Sequence, residues 1–200
     1  MELILFFFPL LFLPHIIFAQ YKNLEFENLT RDEGLTVSEV SGIVQDKDGF
    51  IWIGTAQAVL LRYDGYNFKP YKIVPNMDET IDGVLSLYED RNGILWIGTF
   101  YTGLIKFDKN KERFIYYKHN PNDSTSISSN WISSIYMDRE GFLWVGTGGF
   151  GLNKFDEKNN KFLHYMHNPN DTSSIIDITI RAICEDRLKN LWVGYEHVSD

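Results

Sequence analysis

Four tryptophans, Trp52, Trp96, Trp144 and Trp192, stand 44, 48 and 48 residues apart, and the surrounding sequence repeats with them. Six residues before each is an aspartate: Asp46, Asp90, Asp138 and Asp186. Two residues after each is a glycine: Gly54, Gly98, Gly146 and Gly194. Three residues before the tryptophan stands Gly49, Gly93 or Gly141, with Lys189 in the fourth copy. An aromatic–aspartate pair follows in three copies (Tyr63-Asp64, Phe107-Asp108, Phe155-Asp156), and then a Phe-x-x-Tyr step (Phe68–Tyr71, Phe114–Tyr117, Phe162–Tyr165). Two copies continue into near-identical linkers, His119-Asn-Pro-Asn-Asp-Ser-Thr-Ser-Ile127 and His167-Asn-Pro-Asn-Asp-Thr-Ser-Ser-Ile175. A fixed period of this length marks an array of equal supersecondary units.

Each unit divides into four short strands. In the third, residues 132–137 form a first strand, Asp138 to Gly141 a tight turn, residues 142–145 a second strand, 151–155 a third and 162–165 a fourth. Aspartate accepts backbone amides in such turns and glycine takes the positive φ. Four antiparallel strands per 40–50 residues is the pattern of a β-propeller blade, so the expected class is all-β. The tryptophan is suited to filling the space between adjacent blades, and the glycine after it to letting backbones approach. The units lie near residues 36–71, 81–117, 128–165 and 176–200, giving about three and a half blades. Phe26–Leu29 falls where a fourth strand would precede the first unit. Propellers have roughly 4–8 blades, so further blades are expected beyond Asp200.

The rest of the chain bounds the setting. Residues 3–19 are almost wholly apolar and end at Ala19-Gln20, as in a cleaved export leader, although only Glu2 and no basic residue precedes them. The expectation is a leader over 1–19 and a propeller from 20 to 200, located in the periplasm or outside the cell. A net charge of −8 argues against a nucleic-acid partner, which needs clustered basic residues. Cys184 is the sole cysteine, which excludes an internal disulfide, and its apolar neighbours predict burial.

The decapeptides Asp90-Arg-Asn-Gly-Ile-Leu-Trp-Ile-Gly-Thr99 and Asp138-Arg-Glu-Gly-Phe-Leu-Trp-Val-Gly-Thr147 resemble the two-component regulator propeller repeat. So do the entry segment Phe26–Leu35 and Arg62-Tyr-Asp-Gly-Tyr-Asn-Phe68. That resemblance implies the periplasmic sensor of a membrane-spanning hybrid histidine kinase of the Bacteroidetes type. It further implies seven-bladed rings, kinase parts downstream of this chain, a small oligosaccharide as ligand, and work as a homodimer. The sequence departs from the repeat in two turns: Ala56-Gln57-Ala58-Val59 stands where later units have Gly103 or Gly151, and Lys189 replaces a turn glycine.

Catalytic patterns are missing. There is no G-x-S-x-G, H-E-x-x-H or P-loop, and Gly146–Gly151 lies between strands, without a following helix. Asp46-Lys-Asp48-Gly49 has the spacing of the start of a calcium loop but recurs as a turn, so neither metal nor cofactor is expected. His119 and His167 hold equivalent linker positions and are read as turn builders. The candidates for ligand contact are aromatic or imidazole residues that differ between units and fall at loops or strand ends: Phe100, Tyr101, Trp131, Phe150, Tyr195 and His197. A secreted propeller enzyme resembling streptogramin lyase is a second reading, and a remnant unable to close its ring is a third.

Overall fold

The computed structural model describes residues 28–30, 34–35, 39–74 and 82–196. The expected leader lies outside these residues, as do Phe26 and His197; Asn28 and Leu29 belong to no strand. Every regular element described is a strand. Strands β1 (Val40–Gln45), β2 (Ile51–Thr55), β3 (Val59–Tyr63) and β4 (Phe68–Lys72) form one antiparallel sheet in chain order. Strands β5 (Val84–Glu89), β6 (Ile94–Thr99), β7 (Leu104–Asp108) and β8 (Arg113–Tyr117) form the second. The third contains β9 (Ile132–Met137), β10 (Leu143–Thr147), β11 (Leu152–Asp156) and β12 (Lys161–Tyr165). A two-stranded sheet of β13 (Ile180–Glu185) and β14 (Leu191–Tyr195) completes the described residues. The first strand of each sheet packs against the first strand of the next, so the sheets stand side by side as blades.

The constant interval between aspartate and tryptophan has a direct cause. Asp46 closes the β1–β2 turn with Oδ1, which accepts the N–H groups of Asp48 and Phe50 at 3.0 and 2.9 Å. Its Oδ2 accepts the indole N–H of Trp52 at 2.7 Å. The same indole bond recurs at 2.9 Å from Trp96 to Asp90, 2.7 Å from Trp144 to Asp138 and 2.9 Å from Trp192 to Asp186. One carboxylate therefore fixes a turn and orients the large ring of the following strand. In the fourth blade the indole bond, with those from Asn190, holds the Asp186 carboxyl down at about 2.

The core lies between blades. Trp52 meets Tyr71 of its own blade and Phe107 of the next, in one buried cluster with Leu95, Ile97 and Ile105 of that next blade. Trp96 does the same with Ile132, Leu143, Val145 and Phe155. The interblade role expected for the tryptophans thus holds for these two, whereas Trp192 is 62% exposed. Cys184, expected to be buried, is exposed: it lies on β13, whose sheet has only two strands among the described residues.

Both departures from the repeat cost backbone strain. The turns before β7 and β11 place Gly103 and Gly151 at φ of 94° and 73°. In the first blade that conformation moves one residue earlier, onto Ala58 at φ 46°. Lys189 adopts φ 68°, where Gly93 and Gly141 take 77° and 90°. A left-handed residue with a Cβ is strained by about 1–2 kcal/mol, and the exposed 3.4 Å ion pair of Lys189 with Glu140 offsets little of it. Lys189→Gly is expected to stabilise the chain by about 0.5–1 kcal/mol, after subtracting the greater freedom of unfolded glycine. A chemical-denaturation midpoint unchanged or lowered by this substitution would contradict that account.

Candidate functional site

Antiparallel pairing sorts the connections onto two ends. The Asp-x-x-Gly turns and the β3–β4, β7–β8 and β11–β12 turns lie at one end. The β2–β3, β6–β7 and β10–β11 loops share the other with the linkers that join blades. The linkers are rigid for a local reason: the Nδ1–H of His119 donates to the carbonyl of Ile127 and that of His167 to Ile175, both at 2.9 Å. In each, a serine hydroxyl, Ser126 or Ser174, bridges back to Asn120 or Asn168. The histidines are therefore engaged in turn building, as expected from their equivalent positions.

At this linker end the β6–β7 loop is held from beneath by Asp82, only 1% exposed. Its Oδ1 accepts the N–H groups of Gly83, Phe100 and Tyr101 at 2.9, 3.1 and 2.9 Å, and Oδ2 accepts that of Thr102 at 3.0 Å. Thr99 Oγ1 ties the loop from inside by donating to Gly103 O at 3.0 Å and accepting from Thr102 N–H at 2.9 Å. Four amides converging on one buried carboxylate satisfy its charge and fix the loop backbone. Asp82 went unremarked in the sequence because it lies outside the repeated decapeptide; its counterpart in the next blade is Asn130.

The anchored loop presents an aromatic ridge. Phe100 meets Tyr101 edge-on at 4.6 Å and Trp131 of the next blade at 4.9 Å, and Tyr101 is 51% exposed. The Trp131 ring lies so close over Gly148 that no Cβ could stand there. The Arg181 guanidinium lies 5.6 Å from the Trp131 ring and is paired with Glu196. Phe100 and Tyr101 also border a cleft of about 300 Å³, walled by Ser41, Ala56, Gly83, Val84 and Leu85. Among the described residues, no charged side chain lines this cleft. Three of the six candidates, Phe100, Tyr101 and Trp131, are thus brought together. Phe150 is exposed on the β10–β11 loop of the same blade as Trp131, and Tyr195 ends β14 on the following blade; both lie outside the ridge. Among the described residues no group of three His, Cys, Asp or Glu side chains is placed to hold a metal. What the arrangement offers is a rigid stacking surface beside a neutral cleft.

The repeated sheets, joined first strand to first strand with tryptophan cores between them, define a β-propeller. Four segments, 34–57, 79–101, 126–149 and 174–197, match the two-component regulator propeller. This chain belongs to that family. Its fold is similar to the extracellular domain of the hybrid two-component system BT3049 from B. thetaiotaomicron, with a TM-score of 0.72 and 26% identity over 84% of this chain. It is also similar to the extracellular domain of the one-component system BT4673 of the same organism, with a TM-score of 0.64 and 26% identity over 78%. Histidine kinase P4 of Formosa agariphila is 39% identical over 70 residues, which is 35% of this chain. The chain spans 24% and 20% of those two solved domains and 5% of the kinase.

Proposed function

We propose that this chain is part of an extracellular or periplasmic sensor domain, exported by the leader of residues 1–19, that binds a small oligosaccharide at its linker end. It would pass that binding to kinase parts of a larger, dimeric two-component protein with seven-bladed rings, and catalyse no reaction itself. The observation that carries this reading is the Phe100–Tyr101–Trp131 ridge, held by Asp82 beside an uncharged cleft. An exposed ring on a fixed backbone suits the apolar face of a sugar, since little side-chain freedom is lost on binding. The relatives support the same reading, being extracellular domains of signalling systems and a histidine kinase.

Calorimetric titration with maltoheptaose, laminarihexaose and a polygalacturonate oligomer tests it. At least one is expected to bind, and Tyr101→Ala is expected to weaken that binding about 10-fold, the loss of one stacking contact. Absence of binding to all three, or unaltered affinity in Tyr101→Ala, would count against the ridge as a sugar site.

A further inference from the structure

The three complete blades differ at one matched place, on the face that carries the tryptophan. Two residues before the tryptophan stands Phe50, Ile94 or Phe142, and ten residues after it Arg62, Lys106 or Lys154. Strand pairing sets the tryptophan opposite that cation in each blade, Trp52 to Arg62, Trp96 to Lys106 and Trp144 to Lys154. In the first blade the Arg62 guanidinium lies 4.4 Å from the centre of the Phe50 ring, and in the third the Lys154 ammonium lies 3.4 Å from that of Phe142. The second blade has the smaller Ile94 and no ring for its cation to cover. Lys106 turns instead to the Trp96 indole, at 5.4 Å, and to Glu157 of the next blade. Beside Ile94 a cleft of about 360 Å³ is left open.

The lining of this cleft is basic. Lys106, Lys111 and Arg113 stand against the single carboxylate of Asp108, with Ile94 and Ile115 as the apolar part of the wall. Lys111 is paired with Asp108 at 3.0 Å, and Lys106 with Glu157. Arg113 is unspent: among the described residues its guanidinium has no hydrogen bond, ion pair or ring contact. Its backbone is nevertheless fixed, paired with Asp108 in the β7–β8 ladder. The chain as a whole carries a charge of −8. Exposed charges beyond about 10 Å are largely screened at ordinary salt, so the local excess of cations decides which sign of ligand is welcome here.

We propose that this cleft binds a carboxylate carried on a compact ring. The planar guanidinium of Arg113 offers two parallel N–H donors, the geometry that a carboxylate accepts. Lys106 and Lys111 add positive potential beside it, and Ile94 and Ile115 receive the carbon frame of the ring. The volume lies near the lower end of the roughly 300–1,000 Å³ of ligand pockets, which suits one ring and no extended chain. Asn92 and Lys111 place the cleft beside the β5–β6 and β7–β8 turns, at the end of the blade away from the linkers. The inference therefore stands apart from any sugar held by the aromatic ridge.

Calorimetric titration of the whole chain with D-galacturonate, D-galactose and inorganic phosphate tests the site. Galacturonate is expected to bind about 10-fold or more tightly than galactose, which has a hydroxymethyl group in place of the carboxylate. Its binding should weaken as salt is added. Arg113→Gln should lower the affinity about 10-fold or more, and Arg113→Lys should keep part of it, since charge remains while the fork is lost. Ile94→Phe puts into the second blade the ring that the first and third already carry; it should abolish binding and leave the urea midpoint near that of the wild type. Should Ile94→Phe unfold the chain, Arg113→Gln decides alone, because an exposed guanidinium without a partner can be replaced without harm to the fold. No binding of galacturonate, equal binding of galactose, or indifference to Arg113→Gln would overturn the proposal. So would phosphate binding as tightly as galacturonate, the mark of an adventitious ion only.

Discussion

Replacing Lys109 with methionine is expected to destabilise the propeller by about 3–5 kcal/mol, the usual cost of stranding buried charge. Lys109 sits in the β7–β8 turn and reaches into the preceding interface. Its ammonium lies 2.7 Å from Asp46 Oδ2 and 2.6 Å from Glu89 Oε1, with its side chain 9% exposed. The second oxygen of Glu89 accepts the N–H of Lys47 at 2.8 Å, so the lysine ties two blades through both partners. Burial alone would raise the Asp46 carboxyl, but the bonds from Lys109, Trp52 and Phe50 outweigh it and hold it below 3.8. Burial would likewise lower the Lys109 ammonium, and Asp46 and Glu89 together raise it above 10.5.

The pH dependence follows from these directions. A depressed carboxyl adds stability above its unfolded value, lost as pH falls through the folded one; a raised ammonium adds stability below its unfolded value, lost as pH rises through the folded one. The contribution of the pair is therefore complete from about pH 4 to about pH 10 and declines on either side. In Lys109→Met the two carboxylates face each other without a cation, so the deficit against wild type should be largest at neutral pH. It should shrink as pH drops below about 4 and the Asp46 carboxylate protonates. Urea unfolding at pH 7 and pH 3.5 measures both values. A deficit under about 1 kcal/mol, or one that grows on acidification, would refute the arrangement.

Truncating Trp96 should cost as much, about 3–5 kcal/mol, as for other large aromatic side chains removed from a core. The ring is buried between Tyr117 at 6.1 Å and Phe155 at 5.8 Å, and its loss also strands the Asp90 oxygen that accepts its N–H. The control is Trp192, with the same aspartate bond but an open face. In dilute solution Trp192→Ala should cost well under half as much, because most of that ring already meets water and its removal exposes little apolar area. It should also let the Asp186 carboxyl climb from about 2 toward its ordinary 3.8, a change that carbon-detected NMR titration follows. Equal losses at the two sites would show that the indole–aspartate bond, and not packing between blades, carries most of the stability at Trp96.

Periodicity made the blade legible. The spacing of Trp52, Trp96, Trp144 and Trp192 located the sheets, and the residues after them foretold close backbone approach at Gly54, Gly98 and Gly146. The indole bond was present in the sequence as a constant interval of six residues, but an interval does not say which atoms meet. Lys109 and Asp82 left no such trace, because each occurs in one blade only, with partners far away in sequence, and recurrence marks only what every blade shares. The ridge was half legible. Non-repeating aromatics singled out Phe100, Tyr101 and Trp131, whereas Phe150 and Tyr195 satisfied the same criterion outside the ridge. Cys184 misled because local apolarity reports burial only when another element covers the strand, and cover is supplied by tertiary neighbours.

The two linkers carry a consequence for how such chains change length. His119 to Ile127 and His167 to Ile175 close the same loop through the same imidazole–carbonyl bond. A deletion or duplication of 48 residues between matching points of these linkers would rejoin an unaltered joint. The blade that follows would meet its new neighbour through a glycine already cut to receive it. Gene segments of this kind can exchange by unequal recombination without a faulty seam. A change of blade number by whole repeats would thus leave each joint intact, and the closing of the circle would be the test it has to pass.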